Sequence, residues 1–223
     1  MNDSLSMKKR LQQQQLYLRH QHHYKCVVVG DGGVGKTSML LRFVQGDFLT
    51  EYTPTDFDTF TVTMAVGNEW APCSMTLVDT AGQETYDRLR TLTYSGTDVF
   101  IVCYSVADRD SYTNVRSRWL PELKEFKPKV PIILVGTQTD LRENSSKDSS
   151  FSSASFCPQS PSHVSYKEGK RLAQKVHAEM YAECSALTGE GLDKIFYQAM
   201  MTAAFPKRKR KLWQSFKRIF ANG

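Results

Sequence analysis

Residues 26–43 read CVVVGDGGVGKTSMLLRF. The opening CVVVG is apolar and rich in β-branched residues, as expected of a strand covered on both faces. The eight residues that overlap it, GDGGVGKT at 30–37, fit the spacing G-x-x-x-x-G-K-[ST], and SMLLRF after them reads as a helix. Glycines at these places let backbone N–H groups close around a phosphate chain at a helix N-terminus, where the helix dipole also favours an anion. Lys36 is then placed to reach the β and γ phosphates, and Thr37 to offer its hydroxyl to Mg²⁺. A glycine turn with no ligand would leave the Lys-Thr pair unexplained. The phosphate loop is therefore read as Gly30, Asp31, Gly32, Gly33, Val34, Gly35, Lys36, Thr37 and Ser38.

VFIVCYSV from Val99 and PIILVG from Pro131 repeat the pattern of CVVVG. Helix-length segments lie between and beyond them. Residues 111–126 begin on a helix-start serine and bring Val115, Trp119 and Leu120 to one side, and residues 167–177 and 192–205 read similarly. Strands alternating with helices predict a doubly wound α/β fold. Residues 59–66 alternate polar and apolar, Gly67 and Asn68 offer a turn, and CSMTLV follows from Cys73. That hairpin places one antiparallel edge strand on an otherwise parallel sheet.

The chain has 223 residues and a net charge of +6, unevenly spread. Of 29 Lys/Arg and 23 Asp/Glu, residues 207–223 hold seven bases and no acid, and residues 1–24 hold four bases and Asp3. The centre is left with 18 basic against 22 acidic groups, so no nucleic-acid surface is expected on the folded body. The basicity is terminal, as in a tail that meets an acidic surface. No apolar run approaches the roughly 20 residues of a membrane-spanning helix, and residues 1–24 lack the apolar core of a secretory signal. Cys26, Cys73, Cys103, Cys157 and Cys184 contain no C-x-x-C pair, which fits a reducing compartment and buried apolar roles. Residues 1–23 form a polar extension whose His20, His22 and His23 read as solvated rather than as a chelate. Residues 145–165 include ten serines and too little apolar surface to offset their ordering entropy, so 143–165 reads as a mobile surface insertion and a phosphorylation target.

A second chemical element is VDTAGQE, with Asp79 at the end of a strand and Gln83 four residues on. An acid there holds the Mg²⁺ shell beside a phosphate loop, and a nearby Gln orients an attacking water. In order along residues 24–205, GDGGVGKT, EYTPTDFDTF, DTAGQETYDRLRTLTY, RWLPEL, VGTQTDLR and ECSALT together resemble the Ras-like small GTPases, and specifically the Rho family. The resemblance implies a six-stranded mixed sheet flanked by helices over residues 24–206, GTP and GDP as ligands with Mg²⁺, and slow GTP hydrolysis in a monomeric signalling switch. It further implies exchange factors, activating proteins and Rac-type effectors as partners, with outputs in the actin cytoskeleton, cell shape or polarity.

By position, the resemblance gives Thr55 a role in binding Mg²⁺ and sensing the γ-phosphate, Gly82 a backbone N–H to that phosphate, and Gln83, Lys36 and Thr55 the chemistry. Phe48 leans on the guanine and Tyr52 covers the phosphates. Asp140 takes two hydrogen bonds from the guanine edge, with Ser185, Ala186 and Leu187 completing that pocket and Thr137 and Gln138 before it. The effector surface comprises Thr55, Asp56, Phe57, Asp58, Phe60, Tyr86 and Leu89, with Arg88 and Arg90 on the partner-facing side of the second switch. An ATP-using P-loop kinase is opposed by Asp140, and a nucleotide-holding scaffold with little hydrolysis by Gly32, Thr55 and Gln83.

The sequence also departs from the family. Thr137 and Gln138 replace the usual Asn and Lys, Thr being the Rac-like choice; Gly33 replaces Ala; and Asp56 replaces an apolar residue beside the switch threonine, which is expected to narrow effector choice. The short charged helix that relatives insert after Leu141 and Arg142 is replaced by serine-rich sequence. No cysteine follows Cys184, so the prenylated cysteine near the end of most Rho proteins has no counterpart. Membrane contact then falls to Lys207, Arg208, Lys209, Arg210, Lys211, Lys217 and Arg218, with Leu212, Trp213, Phe216, Ile219 and Phe220 within a helical arc of about 120°. A peripheral protein of the cytoplasm and the inner face of the plasma membrane is expected. Nuclear import, calmodulin binding and simple solvation are the rival roles for the tail.

Overall fold

The computed structural model describes residues 22–46, 57–66, 71–142 and 163–205. They form one six-stranded sheet in the order β2-β3-β1-β4-β5-β6. The strands are β1 His23–Gly30, β2 Phe57–Val66, β3 Ala71–Thr80, β4 Val99–Ser105, β5 Ile132–Thr137 and β6 Met180–Glu183. All neighbours run parallel except β2, which pairs antiparallel with β3 as the edge hairpin. The turn at Gly67 and Asn68 lies outside the described residues.

The apolar runs are continuous because both faces are covered. Cys26 and Val28 of β1, with Ile101 of β4, enter one core beneath α1 (Lys36–Gln45) and α6 (Leu192–Ala204). Val27, Val29, Phe100 and Val102 enter the other, beneath a helical stretch over 109–126 and α5 (Tyr166–Lys175). Between β3 and β4 lie a short 3₁₀ turn, Glu84–Tyr86, and α2, Asp87–Leu92. Among the described residues no helix is long and apolar enough to cross a membrane.

Three local outcomes differ from the sequence expectations. The 109–126 stretch is α3 (Arg109–Asn114), a π turn (Val115–Trp119) and α4 (Leu120–Phe126), and it starts two residues before Ser111. Asp108 is the cap, accepting from the N–H groups of Asp110 at 2.9 Å and Ser111 at 3.3 Å, while the Ser111 hydroxyl is turned inward to accept from the Ser105 N–H. His23 is not part of a solvated tail. Parallel pairing of β1 with β3 sets its ring between the hydroxyls of Ser74 and Thr76, each 2.8 Å away. The final residues of the serine-rich stretch belong to the folded body: Val164 is buried and its N–H donates to Val106 O, and Ser165 opens α5 in a reciprocal capping box with Glu168. Residues 143–162 and the tail from 206 onward lie outside the described residues.

Candidate functional site

The site forms where β1, β3, β4 and β5 deliver their C-terminal ends to one edge of the sheet, the usual ligand crevice of a doubly wound fold. Gly35 precedes α1 with a φ of 85°, a left-handed conformation that suits glycine, and no side chain caps the helix. No acid stands in the first turn of α1, so the positive end of its dipole is open to an anion. Gly33 has a φ of 74°, which a glycine meets without the strain an alanine would bear.

Lys36 is 6% exposed and its Nζ donates to the carbonyls of Gly30 at 2.8 Å and Asp31 at 2.7 Å, arching over the loop it belongs to. Burial pushes its pKa down, and the nearby Asp79 carboxylate acts against that shift. Asp79, fully buried at the end of β3, accepts from the Thr37 hydroxyl at 2.6 Å through Oδ2. Its Oδ1 is buried with no hydrogen-bond partner, and burial raises its pKa. An orphaned carboxylate oxygen beside a threonine hydroxyl is a hard-oxygen donor set that fits Mg²⁺, whose remaining places are usually taken by water and phosphate.

The second switch begins against this loop. A Cβ on Gly82 would stand 2.4 Å from both the Asp31 carbonyl carbon and the Gly32 nitrogen, so only glycine fits there without movement. Gln83 follows, half-buried, and a Cβ on Gly32 would meet its side chain at 3.9 Å. Its side chain therefore lies across from Gly32 of the phosphate loop. Gly82→Ala is expected to force the two segments apart and cost about 1–3 kcal/mol, as other overpacking changes do. Differential scanning calorimetry should then record a midpoint lower by roughly 2–4 °C per kcal/mol.

At the opposite end of the loop, Thr137 is buried and its hydroxyl bridges Val34 O at 2.5 Å and Tyr104 O at 2.9 Å. The Thr that replaces Asn at this position therefore ties the phosphate loop to β4 and β5. Gln138 adopts a φ of 60° and its amide donates to Gly33 O at 3.2 Å. Residues 139–142 make one helical turn that carries Asp140, whose Oδ1 accepts from the Ser185 hydroxyl at 2.5 Å. Ser185 is buried, Ala186 half-buried and Leu187 half-exposed, forming one wall beside Asp140.

Of the other predicted residues, Ser38 sits half-buried in the first turn of α1, Asp58 is exposed on β2 opposite Asp79, and Tyr86 and Leu89 lie on the second switch, Leu89 being 62% exposed. Phe60 rests partly buried against the α1–α6 core. Phe57 opens β2, and Phe48, Tyr52, Thr55 and Asp56 lie outside the described residues.

Arg90 does not face partners as the resemblance implied. It is 2% exposed, and its guanidinium donates to Ala81 O, to Asp87 and to both carboxylate oxygens of Glu122, because that acid from α4 supplies the charge its burial requires. Arg88 is exposed. Sequence reading also missed two residues behind the phosphate loop, Asn114 and Trp119, which both donate to Asp31. Their one signal in the sequence was an Asn and a Trp in a helix otherwise read as a core face.

The family model described as Ras family matches residues 25–204, from β1 through the last turn of α6.

Proposed function

We propose that this chain, which belongs to the Ras family and carries its GTP-binding small GTPase domain, is a Rho-type switch that hydrolyses GTP slowly and signals through its two switch segments. The observation that supports hydrolysis is the placement of Gln83 across from Gly32, next to the glycine that touches the phosphate loop. In this reading the α1 N-terminus and Lys36 hold the β and γ phosphates, and Thr37 with Asp79 holds Mg²⁺, which when bound neutralises phosphate charge. Gln83 orients a water in line with the γ-phosphate; the water oxygen bonds to phosphorus as the bond to the bridging oxygen breaks, the water's proton passes to a phosphate oxygen, and inorganic phosphate departs while GDP stays bound. Nothing on the described surface supplies an arginine to this centre in cis, since Arg90 is committed to Glu122. An activating protein is therefore expected to bring one, and an exchange factor to release GDP.

The test is single-turnover phosphate release from GTP-loaded protein. Gln83→Leu keeps bulk but loses the amide, and hydrolysis is expected to fall at least about tenfold, as loss of a water-positioning group does. Equal rates would favour a nucleotide-holding scaffold instead.

The Rho-type assignment rests on Thr137, the RWLPEL stretch and the composition of the switches; it carries with it Rac-type effectors and outputs in actin organisation, cell shape or polarity. Asp56 is proposed to narrow that effector set, and an Asp56→Val protein that binds a panel of Rac-type effectors unchanged would refute this. The basic, aromatic tail is proposed to hold the protein at anionic membranes. Seven bases, each worth about 1 kcal/mol near such a surface before discounting for partial engagement, should make cosedimentation with phosphatidylserine vesicles strong at low salt and weak at high salt. Removal of residues 207–223 should abolish it; binding that survives the truncation would rule the tail out.

A further inference from the structure

Asp31 is an anion within a loop built to receive an anion, so its charge has to be taken up elsewhere. Its Oδ1 accepts from the Trp119 indole N–H at 2.7 Å and its Oδ2 from the Asn114 amide at 2.6 Å. On a regular α-helix two residues five apart point about 140° away from each other. Here the intervening residues form the π turn Val115–Trp119, in which the Leu120 N–H donates to Val115 O, five residues back. That wider turn narrows the angle between residues five apart, and so brings both donors onto one carboxylate.

Trp119 is fully buried with two guanidinium groups over its ring, Arg90 Cζ 4.6 Å and Arg118 Cζ 4.7 Å from the centroid. Arg90 donates onward to Ala81 O at 3.1 Å, and both arginines reach Asp87 Oδ1. Ala81 is followed by Gly82, which lies directly against the Asp31–Gly32 backbone. The contacts close on themselves: Asp31 to Trp119, Trp119 to Arg90, Arg90 to Ala81, and Gly82 back to Asp31.

We propose that Trp119 and Asn114 are positioning residues that lock the phosphate loop to the start of the second switch and thereby set the placement of Gln83. The proposal rests on the GTPase reading above. In that reading the phosphates are held by the α1 N-terminus and Lys36, which the donors to Asp31 do not touch. Losing those donors leaves the nucleotide seat in place, frees the Asp31 carboxylate to turn toward the phosphates, and slackens the tie on Ala81, Gly82 and Gln83.

Two variants of the full chain test this. Trp119→Phe keeps a stacked ring but deletes the N–H; Asn114→Ala deletes the second donor. Single-turnover hydrolysis is expected to drop roughly tenfold in Trp119→Phe and less in Asn114→Ala, while GDP dissociation changes by less than about threefold, as for a misplaced reacting group in an intact binding site. Combining Trp119→Phe with Arg90→Lys should cost little beyond the worse single change, because both break one ring of contacts. The emission assigned to Trp119, taken as wild type minus Trp119→Phe, should differ between the GDP form and a form loaded with a non-hydrolysable GTP analogue. Wild-type hydrolysis in both variants, or hydrolysis and GDP release shifting by the same factor along with thermal stability, would overturn the proposal. If the wild-type protein releases no phosphate, the GTPase reading fails. The emission comparison then decides the coupling separately: no change between nucleotide states would overturn that too.

Discussion

Asp140→Asn is expected to weaken GDP and GTP equally, by roughly 10²- to 10⁴-fold, and to bring xanthine nucleotides into the site. A guanine edge presents a ring N–H and an exocyclic amino group side by side, and a carboxylate accepts from both. Two hydrogen bonds to a charged acceptor contribute about 1.5–3 kcal/mol each, which spans that range. The acceptor is preset: the Ser185 hydroxyl donates to Oδ1 at 2.5 Å, and Ser185 itself receives the Thr188 N–H at 3.2 Å. An asparagine offers one oxygen and one amide, so it meets the guanine amino group with a donor of its own. Xanthine carries a carbonyl in place of that amino group and suits the new pair. Titration with fluorescent GDP, xanthosine diphosphate and ADP checks this. Unchanged GDP affinity, or ADP binding as tight as GDP in the unaltered protein, would remove Asp140 from base selection.

The parts of the site that the sequence revealed are those whose chemistry is local. Gly30 to Thr37 must form a strand, a loop of N–H groups and a helix in immediate succession, so spacing alone places Lys36 and Thr37. Asp79 was legible as the acid at a strand's end, and β1, β4 and β5 as runs buried on two faces. What escaped depends on contacts distant in sequence. Arg90 looks like any exposed helix arginine until Glu122, 32 residues away, is brought beside it. The π turn has no propensity signature in VRSRW, and its consequence shows only once Asp31 is seen to need two donors. Ser111 read as the helix start because serine is a cap-forming type, but the buried Ser105 N–H, which needs an acceptor, turns its hydroxyl inward and leaves Asp108 as the cap. His23 read as tail because three histidines in polar sequence imply no partner, yet the register of β1 on β3 supplies two.

Lys36→Met should separate the phosphate end of the ligand from the base end. Replacing the ammonium by a thioether of similar length keeps the packing under Gly30 and Asp31 but removes the buried cation that donates to their carbonyls. Loss of one partner of a buried charge pair costs about 2–5 kcal/mol, so GTP and GDP affinity should fall from about 30-fold to several-thousand-fold. GMP lacks the phosphates that Lys36 is placed to reach, and its weak binding should be nearly unaffected. Asp140→Asn gives the opposite pattern, weakening GMP in the same proportion as GTP. Calorimetric titration of both variants with GMP, GDP and GTP tests the pair together. The sign of the pKa shift adds a further arm. Burial holds the Lys36 pKa below its ordinary value in the ligand-free fold, and an arriving phosphate favours the charged form and raises it. GDP binding by the unaltered protein should therefore take up protons as pH rises toward the lowered pKa, and Lys36→Met should abolish that uptake. If GMP, GDP and GTP weaken by one common factor in Lys36→Met, the lysine acts through loop structure alone and has no phosphate contact to lose.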